Sequence, residues 1–157
     1  MSTIGVVADT HDEVVPWGPV RERLGAAFAG VSLVVHCGDA TSAAVLDGLA
    51  EIAPVVAVRS AADPPPDPPR LVDGPRVVEH DGIAVGIVAT LPADADVLAV
   101  FGRPVRLVLH GGTHAPAIED RGDTLLVNPG SPTLAERPTA ALVAITAPDL
   151  TATIVEV

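Results

Sequence analysis

At 157 residues, 48% apolar and 18% charged, the chain is long and apolar enough to bury a core without disulfide or metal staples, which excludes a disordered tail. Twenty acidic residues against nine basic ones, all arginine, leave a formal charge of -11; with no basic stripe and no series of stacking aromatics, this excludes general nucleic-acid binding. The single cysteine, Cys37, excludes an intramolecular disulfide or a Cys-x-x-Cys motif, and without an apolar run of about eighteen residues or a signal-peptide pattern the expectation is a cytoplasmic protein with no membrane span.

Residues 3–8 form a short, β-branched apolar run that predicts a strand buried on both faces, ending at Asp9-Thr10-His11. Val20, Leu24, Ala27 and Phe28 recur at helical spacing over residues 19–29, and Gly30 closes that helix. Residues 31–36 repeat the strand pattern and end at Gly38-Asp39. Thr41 is the expected N-cap of a helix carrying Val45, Leu46, Leu49 and Ile52, which Pro54 stops, and residues 55–58 form a third strand. Alternating strands and helices over sixty residues predict parallel pairing through right-handed crossovers.

Five prolines in residues 61–69 predict an irregular surface loop. Residues 77–80 and 83–88 flank Asp81-Gly82, a two-residue hairpin signal. A short helix is expected over residues 94–101, then a buried strand over 105–109 that runs into His110-Gly111-Gly112-Thr113-His114. Two further hairpins are expected, around Arg121-Gly122-Asp123 and at Pro148-Asp149. The first half thus reads as α/β and the second as mostly antiparallel β, an α+β arrangement of two packed sheets with helices outside, in one domain spanning residues 1–157.

Asp9, His11, Asp39 and His114 all fall at predicted strand ends, where an open α/β sheet forms its ligand crevice. Two carboxylates and two imidazoles suit one divalent cation of the zinc, manganese or iron type. Taken singly, each aspartate is equally well a turn or capping residue. His36, inside an apolar strand, reads as a satisfied core histidine, and His110 as an ambiguous extra donor. Arg59 could contact a phosphate or pair with Asp63 or Glu51, and Asn128 could support the site or simply form the turn before Pro129.

Ala8-Asp9-Thr10-His11, His36-Cys37-Gly38-Asp39, Gly111-Gly112-Thr113-His114 and Val127-Asn128-Pro129-Gly130-Ser131, in that order, resemble the motifs of the calcineurin-like metallophosphoesterases, and among them the small phosphodiesterases of the YfcE type. The resemblance implies a four-layer sandwich of two mixed β-sheets flanked by helices, with two metals at one edge. It implies that Asp9, His11, Asp39 and His114 hold the first metal, with Asp39 bridging to the second and Asp39 and His11 central to catalysis.

The second-metal ligands are where this chain departs from the family pattern. Ser60-Ala61 stands where relatives have Gly-Asn, Ala89-Thr90 where they have His-Gly, and Gly112 where they have the first histidine of Gly-His-x-His. Alanine and glycine offer no side-chain ligand. The expectation is therefore one divalent metal per chain and a metal-dependent phosphoesterase acting on a small phosphate ester, with His110, Arg59, Asp63 and Asn128 as auxiliary candidates. The alternative is a catalytically impaired or inactive member serving as a binding module, as in the retromer subunit similar to this fold. The sequence leaves homo-oligomerisation open.

Overall fold

The first two apolar runs pair in parallel. β1 (Ser2–Val7) lies beside β2 (Leu33–His36), with Ile4 opposite Leu33 and Val7 opposite His36, and the helix α1 (Trp17–Ala27) makes the crossover. After α2 (Ala43–Ala50), β3 (Val55–Arg59) adds to β2, and β4 (Leu71–Asp73) adds to β3, both in parallel. The computed structural model describes residues 1–157.

β5 (Arg76–His80) and β6 (Ile83–Thr90) form the expected hairpin, with Asp81 and Gly82 at φ 49° and 79° as a mirror-image type I turn requires. α3 (Val97–Phe101) follows, capped by Asp96, whose carboxylate accepts from the N–H groups of Leu98 and Ala99 at 3.0 and 3.4 Å. Then come β7 (Leu107–Gly111), β8 (Ala117–Asp120), β9 (Leu125–Asn128), β10 (Thr139–Thr146) and β11 (Asp149–Glu156).

The two sheets have the orders β11-β10-β1-β2-β3-β4 and β5-β6-β7-β9-β8. Between them lies a core of Ile4, Val6, Val35, Val85, Ile87, Leu107, Leu109 and Val143. α1 and α2 cover the outer face of the first sheet through Val20, Leu24, Phe28, Val45, Leu46 and Leu49. α3 covers the outer face of the second, against Val108 and Leu126. This is the four-layer sandwich, and both sheets are mixed.

Three features go beyond or alter the sequence reading. The second half is mostly antiparallel as expected, through β5-β6, β8-β9 and β10-β11, but β6, β7 and β9 run in parallel through the centre of the second sheet. β4 has no counterpart in the sequence reading: three residues are too few to show a period. Ser42, not Thr41, is the N-cap of α2; Thr41 sits at φ 69° and sends its hydroxyl to Asp12 and Glu13.

Parallel order has one result for function. The carboxyl ends of β1, β2, β3, β6, β7 and β9 meet at a single edge of the sandwich.

Candidate metal centre

Asp9 and His11 follow β1, Asp39 follows β2 and His114 follows β7. All four occupy the left-handed region, with φ of 55°, 40°, 57° and 61°. A non-glycine residue there is uncommon, and four together mark a place where surrounding contacts over-determine the backbone. Those contacts are visible. The Asp9 N–H donates to the Gly38 carbonyl at 3.0 Å and the His11 N–H to the Asp39 carbonyl at 3.2 Å, which ties the two loops together. Ser131 and Thr133, beyond β9, donate to the carbonyls of Asp9 at 2.8 Å and Thr10 at 3.0 Å.

His36 completes this frame. Its Nδ1 accepts from the Gly38 N–H at 3.1 Å, so its Nε2 carries the proton and donates to the Thr10 hydroxyl at 3.1 Å. Complete burial pushes its pKa down to about 4, and it stays neutral as a core histidine that fastens the two motif loops.

The side chains of Asp9, His11 and His114 converge, with one ligand atom of each within 4.8 Å of the others. The ligand atoms around one cation at zinc-like bond lengths lie about 3 to 4 Å apart, so a small contraction closes the group. Two observations test the fit. His11 Nδ1 donates to Glu13 Oε1 at 2.8 Å, which leaves the lone pair on Nε2; that atom is buried and has no hydrogen-bond partner. Asp9 is buried, and its pKa is pushed up to about 6, chiefly by desolvation, with the Gly112 N–H at 3.0 Å opposing the rise and the Asp39 carboxyl adding to it. A lone pair without a donor beside a buried carboxylate that no arginine pairs suits a cation.

Asp39 lies at the margin of this group, with Oδ2 3.8 Å from His11 Nε2. Its other oxygen, Oδ1, accepts from the Ser60 hydroxyl, which also lies 2.9 Å from Asp63 Oδ2. Behind Ser60, the Asp63 carboxylate accepts from the N–H groups of Asp39 at 2.9 Å, Thr41 at 2.8 Å and Ser60 at 2.8 Å. Burial works against its ionisation, but the Ser60 and Thr41 donors outweigh it and hold the Asp63 carboxyl below its ordinary value.

The other auxiliary candidates separate. Asn128 donates to the Thr113 hydroxyl at 3.0 Å and accepts from the Gly130 N–H at 2.9 Å, so it steadies the loop that carries His114. Arg59 turns away: it donates to the Pro64 carbonyl and pairs with Asp73, each at 2.6 Å, and so with neither Asp63 nor Glu51. His110 alternates with the inward Leu109 and Gly111, and lies among Leu91, Ala93 and Leu126 on the outer face of its sheet, outside the convergent group.

Residues 2–148 match the family model of the calcineurin-like phosphoesterase superfamily domain. The chain belongs to this superfamily. It is 33% identical over 156 residues to a probable metallophosphoesterase of Methanocaldococcus jannaschii, covering 93% of this chain and 76% of that one. A similar enzyme name attaches to a relative in Methanothermobacter thermautotrophicus, 34% identical over 140 residues and covering 83% of this chain and 77% of that one. Among solved structures, a novel archaeal phosphodiesterase superposes with a TM-score of 0.77 at 23% identity, covering 98% of this chain and 99% of that chain. Membership brings with it phosphoester hydrolysis as the general activity and the use of divalent metal.

The three positions at which the sequence reading expects lost second-metal ligands have distinct surroundings. Ala61 is exposed on the turn after β3, and Ala89 packs against the inter-sheet core. Gly112 has φ +91°, and a Cβ there would lie 2.9 Å from the Thr90 hydroxyl. Its neighbour Gly111 lets the two sheets approach: a Cβ at that position would come 2.7 Å from the Cβ of Ala8. Sequence reasoning missed Glu13, Ser60, Ser131 and Thr133. Ser131 and Thr133 follow the Asn-Pro-Gly run, and that was the one available signal. The spacing of Ser60 to Asp39 carries none.

Proposed function

We propose that the protein is a phosphoesterase for small phosphodiesters or monoesters that works with one divalent cation, manganese, zinc or iron, held by Asp9, His11 and His114 with Asp39 as the adjoining fourth donor. The observation that carries the single-site reading is the Ser60 hydroxyl on Asp39 Oδ1. That oxygen is the one a bridging aspartate would turn to a second cation, and here a hydroxyl satisfies it.

A divalent cation, when bound, acidifies water and polarises a phosphoryl oxygen. The chain's own groups arrange that chemistry. Glu13 fixes the His11 tautomer so that Nε2 faces the centre, and the Gly112 N–H orients the Asp9 carboxylate. His11 and His114 act as ligands, not as free bases. The net charge of -11 repels a polyanion, whereas a small ester that reaches the site meets chiefly the local charge of a bound cation.

Metal analysis of the purified protein, with hydrolysis of bis(4-nitrophenyl) phosphate in added manganese, tests this beside an Asp39→Ala control. The expected result is close to one metal per chain and turnover lost in the variant. Near two metals per chain would overturn the single site; no turnover in wild type, or equal turnover in the variant, would overturn the enzyme. Metal without turnover would favour the alternative of an inactive member acting as a binding module, to which the same Ser60 contact lends support.

A further inference from the structure

A groove of about 520 Å³ opens beside His114 and runs between the loop after β7, the loop before β10 and the outer strand β11. His114 belongs to both the groove and the candidate metal centre, since its Nε2 is 4.0 Å from Asp9 Oδ1. A phosphorus atom at that centre would send one ester substituent into this space. The volume falls in the range of small-molecule sites, about 300–1,000 Å³.

The chemistry of the walls selects the substituent. Ala115, Pro116, Ala135 and Ile154 give an apolar surface. Glu136, Glu156 and Arg137 line the groove as well. Two carboxylates against one guanidinium leave a net negative charge, which disfavours a second phosphate. Arg137 is 83% exposed and its one ion pair, to Glu156, is long at 3.7 Å. Arg59, Arg70 and Arg103, by contrast, are committed to carboxylates at 2.6 to 2.9 Å. A loosely held guanidinium beside an apolar wall can stack on a planar ring, and the carboxylates can accept from the donors of that ring.

We propose that this groove is the subsite for one ester substituent of a phosphodiester, and that it takes an uncharged planar ring bearing hydrogen-bond donors, such as a nucleoside, in preference to an aliphatic alcohol or a second phosphate. The assignment as a substrate subsite rests on the phosphoesterase reading; ring binding by the groove does not.

Two measurements keep them apart. Saturation-transfer NMR with adenosine, with glycerol as the aliphatic comparison, reports ring binding without turnover. Arg137→Ala should weaken the adenosine signal about threefold, as expected for loss of a stacked guanidinium at an exposed site, and Ala135→Trp, which fills the groove from a loop, should abolish it. With manganese and bis(4-nitrophenyl) phosphate, both variants should lose more in KM than in kcat, whereas Arg103→Ala, remote from the groove, should match wild type. Adenosine contact no greater than that of glycerol, or unaltered in both variants, would overturn the proposal. Groove-dependent adenosine binding with no turnover of any ester would sink the phosphoesterase reading while the ring site stands.

Discussion

Asp63 holds three N–H groups, those of Asp39, Ser60 and Thr41, on one carboxylate, and so spans the loops after β2 and β3. Hydrogen bonds to a charged group contribute about 1.5 to 3 kcal/mol, and donors left buried without a partner add their desolvation cost. Asp63→Ala is therefore expected to lower stability by about 3 kcal/mol, read as a shift of the urea midpoint; a loss under about 1 kcal/mol would show that water replaces the clamp. His36 makes a pH-dependent contribution. It gains a proton below about 6.5 in the unfolded chain but only near pH 4 when folded, so its contribution is fully present above pH 6.5 and is lost as pH falls towards 4. From this residue alone the loss by pH 5 is about 2 kcal/mol. The raised Asp9 carboxyl acts in the opposite direction over part of that window, so wild type alone does not isolate the effect. Urea unfolding at pH 7.5 and pH 5 for wild type and His36→Gln does: the variant should show the smaller fall.

Among the elements, the strand ends decide whether the site assembles. Gly111 ends β7 against Ala8, and this closeness sets the Gly112 N–H on the Asp9 carboxylate. Gly111→Ala puts a methyl group 2.7 Å from the Ala8 Cβ and should cost about 1 to 3 kcal/mol, as overpacking in a well-packed core does, with weaker metal binding as the chain carbonyls and amides separate. Unchanged urea midpoint and metal affinity would show that the two sheet ends part freely. What the sequence made legible follows the same division. The apolar runs, their polar ends and the Asp81-Gly82 turn are local, so most elements could be read directly, and the motifs at the strand ends marked the four candidate ligands. The parallel run β6-β7-β9, the three-residue β4 and the return of β10 beside β1 depend on pairing between distant segments, which a period within one segment does not encode. The site divides likewise: Asp9, His11, Asp39 and His114 announce themselves by motif. Ser60 on Asp39 and Glu13 on His11 are contacts of side chains whose residue types are ordinary surface choices. Arg59 illustrates the converse, since it lies near the motif loops in sequence yet is spent on Asp73.

At the scale of the whole molecule, the candidate ligands come from both sheets: Asp9 and His11 leave the first, and His114 leaves the second. A cation held by all three therefore cross-links the two halves of the sandwich at the edge where the strand ends meet, beyond the inter-sheet core. Binding to the folded chain alone must stabilise it, by about 2.7 kcal/mol when the free metal is a hundredfold above its Kd. For a chain of this length that corresponds to a rise in Tm of roughly 5 to 11 °C. Thermal unfolding followed with manganese or zinc should show this rise, and a chelator should reverse it. His114→Ala tests the cross-link separately from the rest of the site. Its side chain is 35% exposed, so its removal should cost the metal-free protein little, yet it takes away the only ligand of the convergent group contributed by the second sheet. The metal-dependent rise should then shrink to a small fraction of its wild-type size. An equal rise in His114→Ala would mean that Asp9, His11 and Asp39 bind the cation from the first sheet alone, and that the two sheets are held together by their core without help from the site.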